Sequence, residues 1–183
     1  LAAQAMYEFV WYEFCDWYLE LSKPVLQTAD VAPAARRGTR RTLLEVLEGT
    51  LRMLHPLMPF ITEEIWQRVS PLLDLRQEGE DKSLMNQPYP QADMSLINEQ
   101  AEADIDWVKG IILGIRNIRG EMDIPPGKAI PVLLRHGDEA DRRRLEENRV
   151  FLSKLAKLAD ITMLDAHTEP PMAATQLYGH IEI

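Results

Sequence analysis

A mainly α fold, a helical bundle followed by a small α/β unit of about three strands, is what the sequence predicts, on three observations. Apolar residues recur at three- and four-residue spacing through four long stretches between residues 1 and 122, the period of helices that bury one face. Prolines at 24, 56, 59 and 71 punctuate those stretches. After Ile124-Pro125-Pro126-Gly127 the texture changes to short strand-like runs around one charged helical run. That change places a domain boundary: 1–123 as the bundle and 124–183 as the α/β unit.

The first helix is expected over residues 1–23, ending before Pro24, with Val10, Phe14, Trp17 and Leu21 at helical spacing and Tyr7, Trp11 and Tyr18 beside them. Its apolar face is too wide for one neighbour, so it is expected to sit among several helices. The second, residues 34–55, carries the stripe Leu43, Leu47, Leu51 and Leu54, with Val46 and Met53 alongside. The third runs from Pro59 to Ser70, burying Phe60, Ile61, Ile65, Trp66 and Val69, and stops at Pro71. Residues 74–96 are charged, Pro-containing and non-periodic, hence loop. The fourth helix covers 98–122, with Val108, Ile111, Ile112, Ile115, Ile118 and Met122 inward and Asp106, Lys109 and Arg116 outward.

Beyond the boundary, residues 129–135 and 161–164 read as strands, and 138–159 as a helix broken near Asn148. Residues 176–183 alternate Leu177, Gly179, Ile181 and Ile183 against Tyr178, His180 and Glu182, the period of one half-buried strand.

Residues 52–66, RMLHPLMPFITEEIW, place two prolines inside an otherwise helical pattern. A proline in a helix interior costs about 3 kcal/mol, through a lost N–H and a clash with the preceding turn. A tight corner removes the conflict. Pro56 ends the second helix after His55, and Pro59 opens the third, where no N–H is needed. Glu63 and Glu64 then fall early in that helix and suit its positive end.

The 183 residues carry a formal net charge of −9, with 9 basic against 13 acidic residues in 1–90 and 11 against 16 in 91–183. Indiscriminate nucleic-acid binding needs broad cationic neutralisation of phosphates and is excluded; any polyanion must meet a local basic patch. The lone Cys15 permits no internal disulfide. Apolar runs fall far short of the ~20 residues that span a bilayer, so no membrane partner and a soluble, cytoplasmic location are expected. The opening Leu1, already inside a helical pattern, and the strand that closes the chain suggest a piece of a longer protein.

The search for chemistry returns little. His55, Glu63 and Glu64 fit no zinc spacing and flank a proline corner, so a structural role is assigned and no metal is expected. Cys15 reads as a small core residue. His136, His167 and His180 are scattered without recognisable partners. There is no P-loop and no G-x-G-x-x-G, and Gly110-x-x-x-Gly114 signals close packing of a helix at most. No catalytic residue is assigned.

The basic residues say more. Arg41 has Glu45 one turn on and Arg52 has Glu48 one turn before, pairs that describe a solvated face. Arg36 and Arg40 lack that local compensation, their i+4 positions being another arginine and Leu44, and with Arg37 are candidates for phosphate contact. Arg116, Asn117, Arg119 and Lys128, around the end of the fourth helix and the Pro125-Pro126 turn, form a second candidate set. Arg142 to Arg144 sit among Asp138, Glu139, Asp141, Glu146 and Glu147 and read as an ion-paired surface.

Three motifs in order carry a resemblance. HPLMPFITEEIW (55–66) resembles the helix corner of anticodon-binding domains in class I aminoacyl-tRNA synthetases for valine, isoleucine and leucine. EFVWYEFCDWYLELSKP (8–24) and IRNIRGEMDIPPGKAIPVLL (115–134) are similar to the valyl members in particular. The likeness covers essentially the whole chain. It implies a helical bundle incomplete at its N-terminus and a small junction domain before a coiled-coil arm that is not in this sequence. It implies a tRNA-binding part of a valine–tRNA ligase, an enzyme that uses ATP with magnesium to join valine to its tRNA and hydrolyses mischarged threonyl-tRNA elsewhere in its chain. The implied partners are valine tRNA, at the anticodon stem-loop and the inner face of the L, and the other domains of the same synthetase, in a monomer. The family's HIGH-like and KMSKS-like motifs are absent from these 183 residues, and GHIEI at 179–183 has no following helix to make it the first of them. No cofactor is therefore implied within this stretch. A structural bundle, or a protein-interaction module with little RNA affinity, is the competing expectation.

Overall fold

The computed structural model describes residues 1–29, 31–73, 83–165, 168–169 and 171–183. They form two compact units, Leu1–Leu96 and Ile97–Ile183. The packing thus divides the chain earlier than the change of sequence texture at Ile124.

In the first unit the expected opening helix is three segments end to end. These are α1 (Ala2–Glu8), a π-helical segment (Phe9–Tyr18) and α2 (Leu19–Gln27). In the π segment the ladder steps back five residues, as the Leu19 N–H bonded to the Phe14 carbonyl shows. The helix does not end before Pro24. It runs through that buried proline to Gln27, and the Ser22 hydroxyl donates to the Leu19 carbonyl at 2.8 Å, a back-bond that bends a helix and eases such an interruption. Of the expected apolar stripe only Phe14 is buried; Tyr7, Trp11 and Tyr12 are about half exposed and cluster, with Tyr7 and Trp11 stacked at 6.2 Å.

Helices α3 (Pro33–Leu54) and α4 (Pro59–Val69) meet at the corner read from the two prolines. Both begin with proline in the first turn, where its fixed φ suits the helix. The corner closes with N–H groups of Leu57 and Met58 on the Leu54 carbonyl, at 2.9 and 3.0 Å. His55 Nδ1 lies 2.8 Å from the buried Thr62 hydroxyl, which itself donates to the Met58 carbonyl. Leu51, Trp66 and Leu84 form the core between α3, α4 and the segment after residue 82, with Leu47 and Ile65 against it. Contrary to the sequence reading, Phe60 and Ile61 are exposed: a first-turn residue on the outside of a tight corner faces away from the helix it turns back upon. Residues 83–96 contain two short 3₁₀ turns, Leu84–Asn86 and Met94–Leu96; residues 74–82 of the expected loop lie outside the described residues.

The second unit is built on α5 (Glu99–Glu121), opened by Asn98, whose side chain accepts from the Ala101 N–H at 3.0 Å. Strand β1 (Ile130–Leu134) leads to α6 (Glu139–Leu155), then to β2 (Leu158–Met163), which pairs in parallel with β1. Val108, Ile111, Ile112 and Ile115 of α5, Leu134, Leu145 and Leu152, and Ile161 are fully buried and make the core. Met122, expected inward, is exposed. Helix α6 is unbroken at Asn148: the side-chain amide donates to the Arg144 carbonyl at 2.9 Å, an oxygen whose two lone pairs can take this bond beside the helical one.

The terminal run is a hairpin rather than one strand: β3 (Leu177–Tyr178) and β4 (Ile181–Glu182) are antiparallel, reversed at Gly179 with φ +58°. The alternation in the sequence is real, but only Ile181 and Ile183 are buried. Among the described residues no helix is long and apolar enough to cross a membrane.

Candidate nucleic-acid interface

The basic residues at the start of α3 separate into two roles. Arg36 Nη2 donates to the Thr28 and Ala29 carbonyls at 2.8 and 3.1 Å, tying the end of α2 to α3. Its Nε is buried without a hydrogen-bond partner among the described residues. Arg37 and Arg40 are exposed, three residues apart and hence neighbours on one helix face. Among the described residues neither has a hydrogen bond or an ion pair. Arg41 pairs with Glu45, and the Arg52 Nε lies 2.7 Å from Glu48, both as the spacing predicts.

The placement of this cluster is electrostatically costly by itself. The first turn of α3 has no acidic residue, and four arginines follow at 36, 37, 40 and 41. Arg36 and Arg40, and Arg37 and Arg41, stand four residues apart on the helix, where like charges repel. A bound polyanion offsets that repulsion.

The second candidate set is built around the last turns of α5. Arg116 and Asn117 are exposed on the helix, and Lys128 is exposed in the turn that follows. Arg119 is different: it is buried, and its guanidinium donates to the carbonyls of Pro125 (3.2 Å), Lys128 (2.8 Å), Ala156 (3.0 Å) and Lys157 (2.7 Å). It bolts the Pro125-Pro126 turn and the backbone of Lys128 to the α6–β2 junction. Asp123 and Lys157, both at positive φ, shape the two loops so gathered.

The arginines of α6 are paired with acids. Arg142 pairs with Asp165 at 3.3 Å; Arg143 and Arg144 both reach Asp104 of α5, at 2.9 and 2.8 Å. The Arg144 hydrogen bond holds the Asp104 carboxyl below the usual aspartate range, with Arg143 and Gln100 adding to it against burial. The ion-paired surface expected there is present, but its main acid, Asp104, is remote in sequence. In the first unit, burial works against the Glu63 carboxylate, yet hydrogen bonds from Gln67, from the Leu84 N–H at 2.8 Å and from Ser83, with His55 nearby, hold its pKa below the glutamate value of 4.5. Glu63 therefore caps the turn at 83–84 rather than the start of its own helix.

Two histidines read as partnerless have carboxylate neighbours: His136 Nε2 is 3.6 Å from Glu182, and His180 Nε2 is 2.8 Å from Asp141. His167 lies outside the described residues. Asp138, Asp141 and His180 bring three donor atoms within 4.8 Å of one another. Asp141 is already committed, however. It exchanges hydrogen bonds with Asp138 in a capping box that opens α6 and pairs with Arg144 at 3.3 Å. The cluster pins the hairpin to α6. Cys15 is half-buried and free.

A family model described as the anticodon-binding domain of tRNA ligase matches residues 1–134. The valine–tRNA ligase of Acinetobacter baylyi is 43% identical over 183 residues, all of this chain. The chain spans 18% of the length of that curated relative.

Proposed function

The chain belongs to the anticodon-binding domain family of tRNA ligases, and from that premise we propose that it is the tRNA-binding region of a valine–tRNA ligase, orienting valine tRNA by its anticodon stem-loop. In this reading residues 1–123 are the anticodon-binding region and 124–183 the α/β unit that follows. The longer protein activates valine with ATP and magnesium and carries its aminoacylation and editing sites outside these residues. Its place is the cytoplasm and its state a monomer.

The observation that supports the reading is the pair Arg37 and Arg40, exposed and without ion pairs among the described residues in a chain of net charge −9. An acidic body discourages indiscriminate binding, while a few uncompensated arginines set register on phosphates. Sequence is then read on unstacked loop bases by stacking and base-edge hydrogen bonds. Arg116, Asn117 and Lys128 are proposed as a further contact set, with Arg36 and Arg119 holding the backbone beneath the two sets. The test is a salt titration of binding to a valine anticodon stem-loop. Replacing Arg37 and Arg40 together should weaken binding and flatten the salt dependence by about one unit of slope per lost phosphate contact. An unchanged slope assigns both to bare surface.

One observation favours a second reading. Phe60 is 91% exposed beside half-exposed Leu57, Met58 and Ile61, an apolar corner suited to docking on the rest of a longer protein. Binding of tRNA by the whole enzyme but not by this chain favours that role.

A further inference from the structure

Three lysines of the second unit have no acid of their own. Lys128, Lys154 and Lys157 are exposed, and among the described residues their side chains form no ion pair and no hydrogen bond. Lys109, Arg135 and the arginines of α6, by contrast, each face a carboxylate.

The fold gathers these lysines at one place. Arg119 Nη2 donates to the carbonyls of Lys128, at 2.8 Å, and of Lys157, at 2.7 Å, so a single nitrogen holds both backbones. Lys154 stands in the last turn of α6, three residues before Lys157. Beneath them the Arg119 guanidinium is buried on carbonyl oxygens, with no carboxylate partner among the described residues. Its charge therefore adds to theirs. Glu121 and Asp123, exposed at the end of α5, pair with none of the three lysines among the described residues. Arg119 and the lysines thus make a local excess of positive charge at the α6–β2 junction, in a chain of net charge −9.

Folding alone does not account for the cluster. The macrodipole of α6 explains a cation at Lys154, but Lys128 lies in the turn before β1. Lys157 follows the C-cap Ala156 with φ +53°, the left-handed position that helices usually give to glycine. The other non-glycine residues at positive φ among those described, Asp123 and His136, are of types that enter this region more readily. Lysine at 157 carries backbone strain that glycine would relieve, and its side chain makes no contact within the fold to offset it. Strain held in this way points to a use outside the fold. Among the described residues of the second unit no aromatic ring is exposed to stack on a base, which leaves phosphate as the group these ammonium ions would meet.

We propose that Lys128, Lys154 and Lys157 form a contact site for the phosphates of the tRNA backbone, indifferent to base sequence. The proposal rests on the reading of this chain as tRNA-binding, and it adds Lys154 and Lys157 to the set around Lys128. Lysines give register on the backbone as point charges, and Arg119 is the positioning residue that holds two of them together.

The experiment is acetylation of the 183-residue chain, read lysine by lysine by mass spectrometry, with and without a valine tRNA transcript. Bound tRNA should slow acetylation of Lys128, Lys154 and Lys157 several-fold at low salt, and the protection should vanish at high salt. Replacing all three by alanine should lower the salt slope of binding by about two to three units. That loss should be the same for a transcript with altered anticodon bases. Lys157→Gly alone should weaken binding while leaving the urea unfolding midpoint unchanged or raised, a pair of effects that a merely structural lysine would not give. If tRNA binds but the three lysines react at unchanged rates, this site is overturned and the tRNA-binding reading stands. If the wild-type chain binds neither transcript, both are overturned.

Discussion

The ring of Tyr178 lies on the backbone of Gly110: a Cβ at that glycine would come 2.1 Å from Tyr178 Cε2 and 2.2 Å from Cζ. The Tyr178 hydroxyl donates to the Asp106 carbonyl at 3.2 Å, one turn earlier on α5. One turn later, a Cβ at Gly114 would come 2.5 Å from Ile183 Cδ1. The two glycines of the G-x-x-x-G thus receive a β-hairpin and the residue after it.

Replacing Gly110 by alanine should therefore destabilise the second unit. In an open helix the change stabilises by up to about 1 kcal/mol. Here the extra methyl meets the body of a ring held at both ends, and overpacking of that kind costs roughly 1–3 kcal/mol. Gly49→Ala in α3, where no atom lies within 4 Å of the added Cβ, is the control and should be neutral or stabilising. Urea unfolding of both variants decides; a stabilised Gly110→Ala would show that the hairpin yields freely.

Arg119→Gln should lower stability by roughly 2–4 kcal/mol, since it strips partners from several backbone carbonyls gathered around one guanidinium, at about 1–3 kcal/mol for each acceptor left buried. Lysine supplies the charge but not the planar fork and should restore only part of the loss. If Arg119 contacts phosphate instead, the variants should keep their unfolding midpoint and lose slope in a salt titration of tRNA binding.

Glu63 predicts a pH dependence with a definite sign. Its folded pKa lies below the ordinary 4.5, so its ionised form contributes stability above that value, and the contribution is lost as pH falls through the lower, folded pKa. Melting temperature should drop more steeply below pH 4.5 in the wild type than in Glu63→Gln, whose curve should be flatter and start lower. Parallel curves would mean that Ser83 and Leu84 do not depend on the charge.

The helices of α3, α4 and α5 and the corner between the first two were legible because periodicity and proline chemistry agree on them. What escaped was set by contacts remote in sequence. The π-helical register around Phe14, the passage of α2 through Pro24 and the exposure of Phe60 leave no mark in apolar spacing. The hairpin was misread because Gly179 sits on the alternating phase and could pass for a strand residue; its turn was the available signal. Among the basic candidates, local counting found the ion pairs of Arg41 and Arg52. It could not see that Arg36 and Arg119 spend their guanidinium groups on carbonyls, as far as Lys157 in the case of Arg119. Nor could spacing reveal Asp104 as an acid shared by Arg143 and Arg144.

The central claim is tested most directly by binding of this chain to a valine tRNA transcript, beside one with the last two anticodon bases changed, at two salt concentrations. The account predicts salt-sensitive binding that favours the unaltered anticodon and weakens when Arg37 and Arg40 are replaced. Equal binding of both transcripts, or none, would contradict it and leave the chain as a spacer whose exposed corner at Phe60 docks on the rest of the enzyme.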